Sequence, residues 1–503
     1  MSTQANRWQP ESRETGATNQ LRLWLIPTEG KGLLAAMIVM KFGGTSVEDA
    51  RAISRLVNLV HERLWQRPVI VTSALAGVTD AILHAAFTAT GGNNQPATQV
   101  LLERLESRHV ATADDLLVDV AQTEANISQL FAELRSLLGV ICALRKVTPR
   151  LRDRVASFGE RLSTELITAA LRESGIDATL IDARECIVTD DRYTCAAPLL
   201  DTSEQRLRAR LIPLLEARRV AVLGGFIAAT AQGQTTTLGR GGSDLTAALV
   251  GAALDAERVE IWTDVDGIRS TDPRLCRHTR HIESIGFQEA AELAQLGAKV
   301  LHPATLIPAM QKNIPVYVLN SRNSRHPGTC VYAEPQGAAG VKAIAVKHGI
   351  ILVEASTARS FRPSLLASEM LALLEAKGCL PDIVSIGHTT VTLTVDNKEA
   401  LACLRQQFEK RATIKAENSK ALISLVAEDI HQIPGLSAQV FSALDGIEVW
   451  LALTSGSPRS LSLITSERDM PEAVRRLHNS LLEDNRPQLA LGTEEGVASD
   501  VSA

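Results

Sequence analysis

From Met37 onward, short β-branched apolar runs alternate with amphipathic stretches. Segments 68–73 (PVIVTS), 179–182, 219–228 (RVAVLGGFIA) and 258–264 (RVEIWTD) lack the polar alternation of half-exposed strands. Each is therefore expected to be a strand covered on both faces, as in a parallel sheet. Between them, residues 47–64 place Ile53, Leu56, Val57, Val60 and Leu64 on one helical stripe, and residues 155–171 do the same with Phe158, Leu162, Leu166 and Ala169. This alternation predicts an α/β sandwich with a mainly parallel sheet. After His326-Pro-Gly328 the pattern changes. Residues 341–416 read as strand (341–346 and 350–353), helix (365–376), strand (382–386), strand (390–395) and helix (398–410). A shorter version follows: strand 421–426, a helix from Gly435, strands 448–453 and 460–464, and a helix over 471–482. Two successive βαββαβ units of this size predict two ferredoxin-like modules.

The ends differ from this pattern. Residues 1–36 have no sustained period, and their apolar LRLWLIP is too short for a signal peptide. Met37 or Met40 is expected to be the physiological start, or else the extension is expected to be disordered; residues 485–503, polar and acidic, are expected to be disordered as well. Composition narrows the function. A 503-residue chain suggests roughly three domains. A net charge of -5 and 3% aromatics provide neither a basic patch nor a stacking surface for nucleic acid. Seven scattered cysteines without a CxxC pair read as reduced cytosolic thiols, and the apolar runs are too short to suggest a membrane partner.

Four segments carry candidate chemistry. Lys41-Phe42-Gly43-Gly44-Thr45-Ser46 follows a buried strand and leads into a helix. Its glycines permit close backbone approach, the helix N-terminus favours anions, and the lysine is a movable point charge for phosphate oxygens. An ordinary strand–turn–helix with a surface lysine would read the same way. Thr235-Thr-Thr-Leu-Gly-Arg240-Gly-Gly-Ser243-Asp244 gathers glycines, hydroxyls and an arginine ahead of a helix over 245–253. Arg240 suits bidentate carboxylate binding, and Ser243 or Asp244 suits a helix cap. A cap alone would not explain the glycines before it. Trp262-Thr263-Asp264-Val-Asp266-Gly-Ile-Arg269 and Thr271-Asp-Pro-Arg274 form two acidic turns, which hold Mg²⁺ through water or are simply turns. Gly297-Ala-Lys299-Val300-Leu-His-Pro303 sets a lysine where a helix gives way to a turn.

Taken together, these segments resemble the aspartokinases of the amino-acid-kinase superfamily, most closely the monofunctional, lysine-sensitive type. KFGGTS stands at 41–46, the substrate segment appears as Ser73-Ala-Leu-Ala-Gly-Val-Thr79-Asp80, and the GE helix as Phe158-Gly-Glu160-Arg-Leu-Ser163. TTTLGRGGSD, WTDVDGI with TDPR, GAKVLHPATLIPA and Asn313-Ile-Pro-Val follow in family order. The match runs from Met37 to about Tyr332, and the paired modules behind it resemble ACT domains. The resemblance implies a kinase domain over 37–332 and ACT modules over 333–418 and 419–484.

It also implies ATP with Mg²⁺, the metal reaching the site on ATP without a direct protein ligand. Lys41 would neutralise the transferred γ-phosphoryl group beside Phe42, Gly43 and Gly44, with Asp244 holding Lys41. Glu160 would bind the α-ammonium of L-aspartate and Arg240 its α-carboxylate, beside Ser73, Thr79 and Ser243. Thr263, Asp264, Arg269, Arg274, Lys299 and Val300 would hold ATP. Arg269 stands where relatives carry a tyrosine, so altered adenine contacts are expected. The effector segment, Ser360-Phe-Arg-Pro-Ser-Leu-Leu-Ala367, departs from the family while Asp382 is kept. Lysine, threonine, another effector or none remain open. A homodimer or dimer of dimers is implied. An amino-acid or carbamate kinase with another acceptor, and an inactive ACT-based sensor, are the rival readings.

Overall fold

A computed structural model describes residues 37–91, 95–296, 303–332, 340–357, 362–454 and 458–483. The expectations for 1–36, for 485–503, for Lys299 and Val300, and for Ser360 and Phe361 of the effector segment lie outside the described residues.

Among the described residues eleven strands precede residue 333: β1 (Ile38–Phe42), β2 (Pro68–Thr72), β3 (Ala178–Ile181), β4 (Val188–Thr189), β5 (Val220–Gly224), β6 (Ile227–Thr230), β7 (Thr235–Thr237), β8 (Arg258–Thr263), β9 (Ser284–Gly286), β10 (Val316–Asn320) and β11 (Thr329–Tyr332). Eight of them form one sheet in the order β3-β5-β2-β1-β8-β10-β11-β9, parallel except where β10 meets β11. β4, β6 and β7 form a separate small sheet. Central strands such as β1, β2 and β5 are buried along their whole length, which is why their sequences show no alternation.

The two faces are nonetheless distinct. Ile38, Met40 and Phe42 of β1 pack into one core with Ile53, Leu56, Phe131, Phe158 and Leu162. Met37 and Val39 pack into the other with Leu211, Ala247 and Val250. Since side chains alternate along a strand, Lys41 belongs to the second face, that of the helix Gly242–Leu254.

The run 95–144, for which the sequence pattern suggested no element, forms two helices, Gln95–Leu116 and Ala121–Leu144. The second is long and apolar enough to cross a bilayer. Here its apolar side, Ile127, Phe131, Leu134, Leu138 and Ile141, is buried in the first core. Segment 219–228, expected as one strand, is two. The chain breaks at Gly225-Phe226, where Phe226 takes a φ of 66°, and β6 leaves the large sheet.

The C-terminal strands are β12 (Val341–Thr357), β13 (Val384–Ile386), β14 (Thr390–Val395), β15 (Ala412–Ala427), β16 (Val449–Thr454) and β17 (Ser460–Ser466). They form one antiparallel sheet in the order β13-β14-β12-β15-β17-β16. The expected pair 341–346 and 350–353 is one strand with register shifts between Lys347, Ile350 and Leu352. Its first half, with Val341 and Ile344, packs among Ile423, Leu425, Val440 and Val474. Its second half, with Ile351, Val353 and Ala355, packs among Leu366, Met370, Leu404 and Phe408.

The first of these cores thus draws strand residues from both sides of the expected 418/419 boundary, because β12 begins in it and ends in the second core, whose residues all precede that boundary. Periodicity reports burial along a strand and not which neighbour supplies it, which is why the boundary was not visible in sequence. The opposite face of the sheet, including Ala343, Ala345, Leu422 and Ile464, joins the kinase core beside Phe287, Ala290 and Leu293.

Candidate active site

Lys41 and Asp244 meet because β1 ends beside the start of the helix Gly242–Leu254. Gly239 and Gly241 adopt φ values of 76° and 72°, which let the chain turn sharply enough to aim that helix N-terminus at β1. Asp244, in the first turn, places Oδ1 2.6 Å from Lys41 Nζ. The pair is mostly shielded, with side-chain exposures of 11% and 15%. Gly43 donates its N–H to Trp262 O at 3.0 Å. A Cβ on Gly43 would lie 3.6 Å from Lys41 Nζ, and one on Gly44 would lie 3.1 Å from Ala74 O. A side chain on Gly43 would fill the space beside the ammonium group that a phosphate needs, and one on Gly44 would press on the backbone of Ala74 and Ala76.

Glu160 enters from the helix Pro149–Glu173, which begins with Thr148 accepting from Leu151 N–H and Pro149 in its first turn. The glutamate is 4% exposed. Its Oε1 receives one long hydrogen bond from Ala74 N–H, 3.4 Å, and its Oε2 has no partner among the described residues. Burial pushes its carboxyl up to about 8. A buried carboxyl with an orphaned oxygen is costly unless a cation completes it. Gly159 makes the approach possible, since a Cβ there would lie 2.8 Å from Ala74 Cβ and 2.9 Å from Thr79 Oγ1.

These groups share one cleft of about 270 Å³, lined by Lys41, Ser73, Thr79, Glu160, Phe226, Ser243, Asp244 and the glycines 239, 241 and 242. Six of the expected residues thus converge. Arg240 lies between two lining glycines, exposed and without an ion pair among the described residues. A shielded lysine–carboxylate pair, a buried carboxyl that a cation would complete and an arginine at the rim together suit a zwitterion facing a phosphate.

The other expected nucleotide residues are less gathered. β8 runs parallel to β1 with Phe42 opposite Trp262, so Thr263 and Asp264 follow directly beside Gly43. Thr263 Oγ1 donates to Asp264 at 3.3 Å. The Phe42 side chain is fully buried and stacks on Trp262 at 6.1 Å, which leaves only its main chain for a ligand. Arg269 donates to both the hydroxyl and the carbonyl of Thr279. Arg274 lines a separate cavity of about 520 Å³ with Arg277, His278 and Arg475.

Phe226, which lines the cleft, and Gly225 before it, which packs against Ser243, were not singled out from sequence. The signal was present: Gly-Gly-Phe inside an apolar run marks a break where backbones approach closely. A Cβ on Gly225 would fall 2.6 Å from Ser243 Cβ and 2.7 Å from its Cα. Gly225→Ala is therefore expected to displace the start of the helix carrying Asp244, lowering activity at least about tenfold and stability by about 2 kcal/mol. Steady-state kinetics and denaturant unfolding would check this.

With this geometry in hand, comparison with known proteins is direct. A profile described as the amino acid kinase family matches residues 36–320, and one described as the ACT domain matches residues 423–481. Lysine-sensitive aspartokinase 3 of Escherichia coli (strain K12) is 32% identical over 465 residues, spanning 90% of this chain and 100% of that protein. The crystal structure of E. coli aspartokinase III in complex with aspartate and ADP aligns with a TM-score of 0.79 at 31% identity, covering 88% of this chain and 99% of that one. The complex of the same enzyme with lysine and aspartate aligns at 0.76, with 31% identity, 89% of this chain and 100% of that one. The family profile, the near full-length relative and the folds together establish that this chain belongs to the aspartokinases of the amino acid kinase family.

Proposed function

We propose that the protein transfers the γ-phosphoryl group of ATP to the β-carboxylate of L-aspartate, giving 4-phospho-L-aspartate and ADP at the head of the lysine, threonine and methionine branch. The observation that carries this reading is the single cleft in which the shielded Lys41–Asp244 pair faces the buried, incompletely bonded Glu160. In this reading Glu160 takes the α-ammonium and Arg240 the α-carboxylate. Ser73, Thr79 and Ser243 line the pocket, and the β-carboxylate is left pointing at Lys41.

The nucleophile is already an anion at neutral pH, so no general base is required. What the site must supply is alignment and charge neutralisation for two negative reactants. Lys41, oriented by Asp244, stabilises the charge that develops on the transferred phosphoryl group, with the Gly43 and Gly44 main chain close by. Thr263 and Asp264, at the end of β8, hold the nucleotide, together with the Phe42 main chain, Arg269, Arg274, Lys299 and Val300. Among the described residues no group of three His, Cys, Asp or Glu forms a ligand set. In this reading Mg²⁺ would arrive with ATP, and no step is routed through a metal held by the protein.

Trapping with hydroxylamine tests the reading. Wild type with ATP, Mg²⁺ and aspartate should form aspartyl hydroxamate, and absence of hydroxamate under any ATP and Mg²⁺ concentration would overturn it. Finer assignments go with the same proposal: cytoplasmic localisation, an amino-acid effector at the ACT modules, and a homodimer or dimer of dimers. The edge strands of the ACT sheet support association, since Val384, Ile386 and Trp450 are exposed there. Light scattering at micromolar concentration should give at least about twice the 54.1 kDa chain mass. A monomeric mass would contradict it.

A further inference from the structure

One buried carboxylate near the cleft has no part in the mechanism above. Asp153 lies on the same helix as Glu160, seven residues earlier, so the two share a helical face about 10 Å apart along the axis. It is 1% exposed and accepts three hydrogen bonds. Thr237 N–H donates to Oδ2 at 3.0 Å, Thr237 Oγ1 to Oδ1 at 2.8 Å, and Thr194 N–H to Oδ2 at 2.8 Å. Burial raises its carboxyl above the ordinary range, and the donors from Thr194 and Thr237 act against that rise.

Both partners lead to Arg240. Thr237 ends β7, three residues before the arginine. Thr194 holds a φ of 76°, a conformation costly for a β-branched residue and one that persists only where its surroundings enforce it. The turn it forms abuts the arginine loop. A Cβ on Gly239 would lie 3.1 Å from Cys195 Sγ and 3.3 Å from Thr194 O. Ala196 N–H closes the arrangement by donating to Thr237 O at 2.9 Å. One helix therefore fixes Glu160 at one end of the cleft and, through Asp153, the strand and turn that carry Arg240 at the other.

We infer that Asp153 is a positioning residue for substrate recognition: it sets the separation between the ammonium-binding Glu160 and the carboxylate-binding Arg240, and so holds the α-amino-acid head of the substrate in the orientation that presents its β-carboxylate to Lys41. This rests on the proposed roles of those two residues. Asp153→Asn keeps the size but turns an amide NH₂ toward one donor. It is expected to raise KM for aspartate about tenfold or more, with KM for ATP and kcat changed less than about threefold.

The discriminating measurement is a double-mutant cycle with Arg240→Ala. If Asp153 acts through Arg240, Asp153→Asn should cost little further in kcat/KM for aspartate once the arginine is gone. An equal loss in both backgrounds would mark a merely structural role and overturn the inference, as would unchanged KM for aspartate in the single variant. Thr237→Val, which removes one hydroxyl donor and keeps the backbone N–H, gives the same readout in smaller degree if Asp153→Asn does not fold. An inactive wild type would instead overturn the proposed function, so the two failures are distinguishable.

Discussion

Lys41→Met is expected to lower kcat by at least about 1,000-fold, with KM for aspartate little changed and the circular dichroism spectrum retained. The lysine is the cation aimed into the cleft from the sheet, placed there by the alternation of β1 and oriented by Asp244 at 2.6 Å. Its charge matters most as the phosphoryl group passes between two anions, so removal acts on the transition state more than on binding. Methionine keeps the length and apolar contacts of the stem. The stability cost is expected to stay near 2 kcal/mol, because Asp244, left without its partner, still sits in the first turn of a helix whose N-terminus favours a negative charge. Retained turnover with a raised KM for ATP would mean that Lys41 only binds the nucleotide.

Glu160→Gln should have the largest effect on substrate binding, raising KM for aspartate about 100-fold or more by replacing a buried charge-assisted contact with a neutral one. The pH dependence gives a sharper signature. In the free protein burial holds the Glu160 carboxyl at about 8. An ammonium group binds its ionised form, so KM for aspartate should rise as pH falls below about 8, approaching tenfold per unit, while the Gln variant should lose that slope.

Stability should change in the opposite sense. The folded-state value lies above the ordinary glutamate value of 4.5. Folding therefore favours the protonated form, and stability is lost as pH rises from about 4.5 through 8. Ligand-free Glu160→Gln should be the more stable protein at pH 8, by on the order of 4 kcal/mol as an upper bound, with the difference shrinking toward pH 5. Denaturant titrations of both proteins at the two pH values would read it, and a Gln variant less stable at pH 8 would show that Glu160 is already satisfied without ligand.

How far the sequence led can be judged from particular residues. Lys41 and Asp244 stand in glycine-rich segments that suggest close backbone approach, whereas the pairing of the two and the role of Glu160 came only from the resemblance to the family's motifs. The parallel sheet was legible because β1, β2 and β5 are apolar throughout, as strands covered on both faces must be. The sharing of β12 between the two ACT cores was not, because the strand changes cores midway without a change in pattern. The break at Gly225-Phe226 was signalled only by two glycines in a run whose flanks are apolar on both sides, which reads equally as one strand. Asp153 was invisible for a different reason. Its role lies in what Thr194 and Thr237 do, and those partners are 41 and 84 residues away in sequence.

The proposed chemistry depends on one orientation of aspartate: the ammonium on Glu160, the α-carboxylate on Arg240 and the β-carboxylate at Lys41. Borohydride reduction of the acyl phosphate formed from ATP and aspartate reads that orientation directly, because the phosphorylated carboxyl becomes an alcohol. The account predicts homoserine. Reduction to 3-amino-4-hydroxybutanoate, the product of α-carboxyl phosphorylation, or no reduced amino acid at all, would contradict it.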